Sequence, residues 1–281
     1  QQAGRIRKRD PNAPPVINPN GTTNYLNRVL TENKVETASA RYWEQLPQLE
    51  KASQTFSVPK NYLMALWGME SSFGYYQGSY DVLSVLATLA FDGRREALFS
   101  KEFIAAMKML QRDHIQRHKM RGSWAGAMGQ TQFMPSSYLR YAADGNGDGE
   151  KNIWTEYYDV FASIANYLHT EGWNPNLPWG VEVTVNQPID MALSGTEEGK
   201  QRSLSDWQKL GVTSKFLTSE TQQKLTALSQ TDLWLVRPDR ELGRAFLVSN
   251  NYRTLLHWNK SNYFAVSIGM FADRIQQHIG N

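Results

Sequence analysis

The stretch Pro59-Lys-Asn-Tyr-Leu-Met-Ala-Leu-Trp-Gly-Met-Glu-Ser-Ser-Phe-Gly74 constrains the fold more than any other, because it sets a carboxylate on a stripe that is otherwise core. Proline suits the first helical position, where its fixed φ helps and its missing N–H is not needed, and Gly74 supplies a stop. Between them Tyr62/Leu63, Leu66/Trp67 and Glu70/Phe73 recur at three- and four-residue steps, which puts Glu70 on the apolar face, one turn beyond Leu66 and Trp67. A carboxyl group there loses hydration, which disfavours its charged form and raises its pKa, as a general acid working near neutral pH requires. The competing reading is a glutamate paired with an arginine at a helix end.

A chain of 281 residues can bury a core around such a helix, as one large domain or two smaller ones. No apolar run approaches the roughly eighteen residues of a membrane span. With no cysteine, disulfides, thiolate metal sites, a cysteine nucleophile and a lipid anchor on cysteine are excluded. No signal peptide is visible from Gln1, which fits a cytoplasmic protein or a processed form. The net charge of +3 is too mild and dispersed to argue for nucleic acid, though it suits an anionic polymer. Nine Trp and 13 Tyr exceed what a core of this size needs, and such rings stack on the apolar faces of sugars or on partners.

Residues 1–22 mix Arg5, Arg7, Lys8 and Arg9 with Pro11, Pro14, Pro15 and Pro19, and read as an arm or linker. From Asn24 to about Ser53 the spacing predicts at least two helices before the Glu70 helix. Further helices are expected over Val82 to Phe91, Arg95 to about His118, from Pro135, and over Asp159 to His169, where Gly172 ends the run. The texture then changes to short strands, Val181 to Val185, Leu233 to Val236 and Ala245 to Val248, with a Ser203-capped helix among them. Helix returns over Asn250 to about His257 and Ala265 to His278.

Two stretches between these elements carry chemistry. In Ser123-Trp-Ala-Gly-Ala-Met-Gly-Gln-Thr-Gln-Phe-Met-Pro-Ser-Ser-Tyr138, small residues permit close backbone approach, while Ser123, Gln130, Thr131 and Gln132 offer uncharged groups suited to hydroxyls and acetamides. A tight helix-packing loop is the alternative. Asp144-Gly-Asn-Gly-Asp-Gly-Glu150 is the first half of an EF-hand-type calcium loop, with Asp144, Asn146 and Asp148 binding by side chains and Glu150 by its carbonyl. The twelfth position is Thr155 instead of a bidentate glutamate, so Glu156 or Asp159 has to close the site; a plain Asp/Gly turn is the other reading.

Metal catalysis, Ser-His-Asp chemistry and phosphate cradles find little support, since no His-Glu-x-x-His, nucleophile elbow or glycine-rich Lys-Ser/Thr loop is present. What remains is a lone glutamate with amides, hydroxyls and rings. In these residues the sequence resembles the B-type lytic murein transglycosylases, whose catalytic core is lysozyme-like. The resemblance runs from about Tyr25 to the C-terminus. It includes Trp67-Gly-Met-Glu70 with Gly74, Ala87-Thr-Leu89, Gly122-Ser-x-Ala-Gly-Ala-Met-Gly129, Gln132-Phe-Met-Pro-Ser-Ser-Tyr138, Ile153-Trp154, Ser163-Ile-Ala-Asn-Tyr167, and Asn251-Tyr252 through Asn259-x-Ser261 to Tyr263.

The resemblance implies a mainly α (α+β) fold: a lysozyme-like helical catalytic core with a helical subdomain and a small mixed α/β insertion. The expected order is the arm 1–22, a catalytic region 23–175, the insertion 176–249 and completing helices 250–281. It also implies cleavage of the MurNAc-GlcNAc β-1,4 bond of peptidoglycan without water, Glu70 acting as acid and then base to leave a 1,6-anhydro sugar. Ser123 and Gln132 would hold the central sugars, Asn259 would steady Glu70 or the substrate from the opposite wall beside Trp258, and Tyr25, Tyr167 and Tyr263 would line the groove. The Asp144 loop with Asp159 would hold a structural calcium ion, with no cofactor for catalysis. Two positions depart from the family: Ser71-Ser72-Phe73 stands where relatives often have Thr-Arg-Trp, and Trp258 where tyrosine is frequent. The implied partner is the peptidoglycan glycan strand in the periplasm, with no nucleic acid, no membrane span, and a homo-oligomer formed through the arm. A hydrolysing muramidase and a non-catalytic wall-binding scaffold are the alternatives.

Overall fold

A computed structural model describes residues 18–280. The basic cluster of the arm, and any assembly through it, falls outside the described residues, and helix α1 (Gly21–Val29) already begins inside the span expected for the arm. Helices α2 (Glu32–Glu44), α3 (Leu46–Phe56) and α4 (Lys60–Ser71) follow. Thr31 caps α2 by accepting from Lys34 N, and the left-handed Ser57 (φ 56°) ends α3. Pro59 is extended (ψ 139°), so α4 starts one residue later than its sequence predicts.

Strand β1 (Tyr80–Asp81) leads into α5 (Val82–Phe91), then come α6 (Glu96–Arg112), β2 (Arg121–Gly122), α7 (Pro135–Tyr141) and α8 (Tyr157–Thr170). The long helix expected to reach His118 stops at Arg112, because His114 turns left-handed (φ 52°) and only one 3₁₀ turn, Arg117–Lys119, follows. The rest comprises β3 (Gly180–Val185), β4 (Arg202–Ser203), α9 (Leu204–Lys209), β5 (Val212–Ser214), α10 (Ser219–Leu228), β6 (Asp232–Val236), β7 (Ala245–Val248), α11 (Asn250–Trp258) and α12 (Asn262–Ile279). Strands β4-β6-β7-β3-β5 form one antiparallel sheet in that order.

Helix α4 is buried on all sides from Tyr62 to Gly68, as a central helix must be, and α2, α3, α8 and α12 pack around it. The α4–α12 approach is close, since a Cβ added to Gly68 would lie 3.0 Å from the Phe271 ring, and on its other side α12 packs against Trp179, 2.3 Å from a Cβ added to Gly269. The sheet divides its side chains between two cores by simple alternation. In β6 and β7, Trp234, Val236, Phe246 and Val248 join the helical core, while Leu233, Leu235, Ala245 and Leu247 face a second cluster with Val181, Val183 and Trp207.

Candidate active site

The residue after α4 fixes where its carboxylate points. Ser72, Phe73 and Gly74 are all left-handed (φ 49°, 61° and 84°), a passage rare for non-glycine residues that swings the chain sharply off the helix and leaves Glu70 at its end. Three contacts hold this passage. Ser71 Oγ donates to Gln130 O at 2.7 Å and accepts from Gly74 N at 2.9 Å, and the Phe73 ring packs edge-on against Trp67, centroids 5.4 Å apart. Gly74 is required twice over, since its φ is positive and a Cβ would sit 2.3 Å from Gln130 Oε1.

Gln130 is the knot of this wall. It is buried; its Oε1 accepts from Trp67 Nε1 at 2.8 Å and its Nε2 donates to Trp154 O at 3.0 Å, so both ends of the amide are used inside the protein. The sequence suggests Gln130 as a ligand group. The structure makes it a strut between α4 and the segment before α8.

Glu70 itself is half-buried, and Trp258 Nε1 donates to its Oε1 at 2.8 Å. No arginine or lysine pairs with it among the described residues, so the ion-pair reading fails. Burial pushes its carboxyl up to about 7, with the indole bond partly countering. Around Trp258 stand Tyr167 and Phe133, ring centroids 4.5 and 5.5 Å away. The Tyr167 hydroxyl is shared with His257 Nδ1 at 2.7 Å, so Tyr167 offers a ring to this wall.

Asn259 makes no hydrogen bond to Glu70 among the described residues. Helix α11 ends at Trp258, Asn259 is extended (φ −147°, ψ 121°) and exposed, and its Oδ1 accepts from Ser261 N at 3.0 Å, leading into α12. The group that meets Glu70 is its neighbour Trp258. Tyr25 and Tyr263 do come together, stacked with centroids 5.5 Å apart, but the Tyr263 hydroxyl donates to Asp239. Asp239, which the sequence does not single out, also takes Thr22 N at 2.7 Å and Thr22 Oγ1 at 2.6 Å, pinning α1 to the sheet and α12.

Ser123 and Gln132 have complementary free valences. Ser123 Oγ accepts from Ala125 N and Ala127 N at 3.3 and 3.1 Å, which leaves its hydrogen to donate. Gln132 Nε2 donates to Gly129 O at 2.9 Å and Gln77 O at 3.2 Å, which leaves Oε1 to accept. Pairing of β1 with β2 also brings the exposed Tyr80 beside this stretch, and Trp124 within it is 70% exposed. Neither ring stands out in sequence, because only the pairing shows that they share an edge.

The Asp144 loop is closed by Asp159 and not by Glu156, which caps α8 by accepting from Tyr158 N. Buried Asp159 takes Gly145 N at 2.7 Å and Asn152 N at 2.8 Å, and oxygens of Asp144, Asp148 and Asp159 lie within 4.8 Å of one another. Burial pushes Asp159 up to about 6, backbone N–H groups partly countering and Asp144 and Asp148 adding to it. Asn146 faces Asp148, accepting from its N at 3.2 Å, and the side chain of Glu150 is exposed, consistent with a carbonyl role. Clustered carboxylate oxygens with no sulfur or imidazole fit a hard dication.

A family model described as transglycosylase SLT domain matches residues 5–273. Membrane-bound lytic murein transglycosylase B of Escherichia coli K12 is 31% identical over 258 residues, which cover 90% of this chain and 67% of that protein. The Pseudomonas aeruginosa SltB3 structure in complex with NAG-anhNAM-pentapeptide is 36% identical with a TM-score of 0.81, covering 90% of this chain and 66% of that one. The Escherichia coli Slt35 structure in complex with calcium is 26% identical with a TM-score of 0.78, covering 92% and 79%. The chain spans about two-thirds of the length of the first two relatives.

Proposed function

The chain belongs to the transglycosylase SLT domain family, and from that premise we propose that it is a lytic transglycosylase cleaving the MurNAc-GlcNAc β-1,4 bond of peptidoglycan, with Glu70 as its only acid and base. The observation that carries this reading is a carboxyl raised to about 7 whose one hydrogen-bond partner among the described residues is an indole. An indole N–H can donate but not accept, so it occupies a lone pair of Oε1 and the proton resides on Oε2. From Oε2 the proton passes to the bridging oxygen as the C1–O bond breaks and GlcNAc leaves as an alcohol. The carboxylate then takes the proton of the C6 hydroxyl of the same MurNAc while that oxygen bonds to C1. The ring closes as a 1,6-anhydro sugar and Glu70 is protonated again. One carboxyl used twice needs no second acid at hydrolase spacing.

The hydroxyl of Ser123 donates to the acetamide carbonyl and Gln132 Oε1 accepts from its N–H, while Trp124 and Tyr80 supply stacking faces. The SltB3 complex with NAG-anhNAM-pentapeptide supports this product class. Acting on such a substrate implies an extracytoplasmic location, which we read as the periplasm; no described helix is long and apolar enough to cross a membrane. Asp144, Asn146, Asp148, Asp159 and the Glu150 carbonyl hold calcium in a structural role, as the Slt35 complex with calcium supports. The deciding experiment is digestion of purified sacculi followed by mass spectrometry. Wild-type products are one water lighter than hydrolysis products, and Glu70→Gln gives none while staying folded. Full-mass muropeptides, or undiminished cleavage by the variant, would remove the transglycosylase reading.

A further inference from the structure

We propose that the cavity between the end of α6 and the segment following the Asp144 loop binds a short peptide carrying both a free amino group and carboxylates, the chemistry of a peptidoglycan stem. This deepens the functional reading and rests on it for the identity of the substrate. The cavity measures about 410 Å³, within the roughly 300–1,000 Å³ of small-molecule sites. Lys119 and Lys151 line it together with Asp113 and Glu150. None of the four charged ends makes a salt bridge or hydrogen bond with any described residue. Opposite charges around one space gain by pairing with each other or with a ligand that carries both signs.

Two rings join Ile115 in the apolar part of the lining, and both are anchored. Tyr138 donates to Lys151 O at 2.8 Å and Trp154 Nε1 to Arg121 O at 2.9 Å, so their positions are fixed before a ligand arrives. The negative charges of Asp113 and Glu150 both reach the Tyr138 hydroxyl, which burial already holds in its neutral form. A polyanion would be repelled by the two carboxylates. A neutral glycan would use none of the four charges. A peptide with an amine and carboxylates matches the arrangement.

The cavity also adjoins the stretch that carries Gln132. Gln132 Nε2 donates to Gln77 O and Gln77 Nε2 donates to the main-chain carbonyl of Trp154 at 3.1 Å, so Gln77 bridges the sugar-binding glutamine and the backbone of the residue whose ring lines the cavity.

The test titrates the full chain with unlinked L-Ala-γ-D-Glu-meso-diaminopimelate while following the Trp154 indole N–H by NMR, assigned with Trp154→Phe. The tripeptide shifts that resonance, and Asp113→Lys and Lys119→Glu each weaken its binding about tenfold. Both variants cleave peptide-free glycan as the wild type does and show a raised KM on peptide-bearing glycan. An unshifted Trp154 resonance, or a shift produced by peptide-free glycan alone, overturns the proposal. Because the titration needs no cleavage, an inactive wild type would count against the enzymatic reading and leave this one to be judged by the resonance.

Discussion

Glu70 and Trp258 are 188 residues apart, and their contact joins what the sequence could show to what it could not. Helical spacing is enough to place Glu70 at the margin of an apolar face. Its partner depends on which way the chain turns at the end of α11, and spacing says nothing about whether Trp258 or Asn259 faces inward. Two measurements bear on the pair. Trp258→Phe removes a bond that favours the carboxylate, so the alkaline limb of the kcat/KM profile moves upward by about half to one pH unit, while Trp258→Tyr restores much of the wild-type position. An unmoved limb in the phenylalanine variant would mean that the indole does not set the acid. Glu70 also carries a stability signature. Its folded pKa of about 7 stands above the ordinary 4.5, so its contribution is fully present below pH 4.5 and lost as pH rises through 7. One pH unit of displacement is worth about 1.4 kcal/mol. Glu70→Gln therefore gains on the wild type by on the order of 3 kcal/mol between pH 4 and pH 8, read from denaturant midpoints.

Among elements, those with strong local signals came out where the sequence places them. Val82–Phe91 and Ala245–Val248 match their expected bounds, and Pro135 and Ser203 open or cap their helices as their chemistry predicts. The overlong α6 shows the limit, because an apolar periodicity continues through Asp113 and His114 while the backbone reverses there. The short strands β1, β2, β4 and β5 have too little pattern of their own, since strand pairing is decided by the partner, whereas α10, capped by Thr218, carries a local signal that the sequence reading passes over. Packing of α12 on the sheet side makes a direct prediction. Gly269→Ala drives a methyl into the Trp179 ring, whose Nε1 is tied to Asp273 Oδ2 at 2.9 Å, so the ring has no free direction to yield. The expected loss is about 1–3 kcal/mol, visible as a lower melting temperature; an unchanged one would show that the interface has slack.

At the scale of the molecule, the calcium-type loop was legible as a ligand pattern, but its closure by Asp159 depends on how α8 lies against it. Calcium bound only to the folded chain raises the melting temperature, and chelator lowers it; identical melting curves would argue that the cluster holds no ion. Strands β6 and β7 give one set of side chains to the helical body and the alternate set to the cluster around Trp207. Neither half therefore owns its own boundary. A protein cut or trimmed anywhere in residues 180–248 would not release a tidy smaller unit, because the surviving part would be left with a wet, greasy flank of Trp234 and Phe246 or their opposite numbers. Calorimetry should accordingly record a single heat-absorption peak, and an evolutionary lineage could swap this region only as a whole panel.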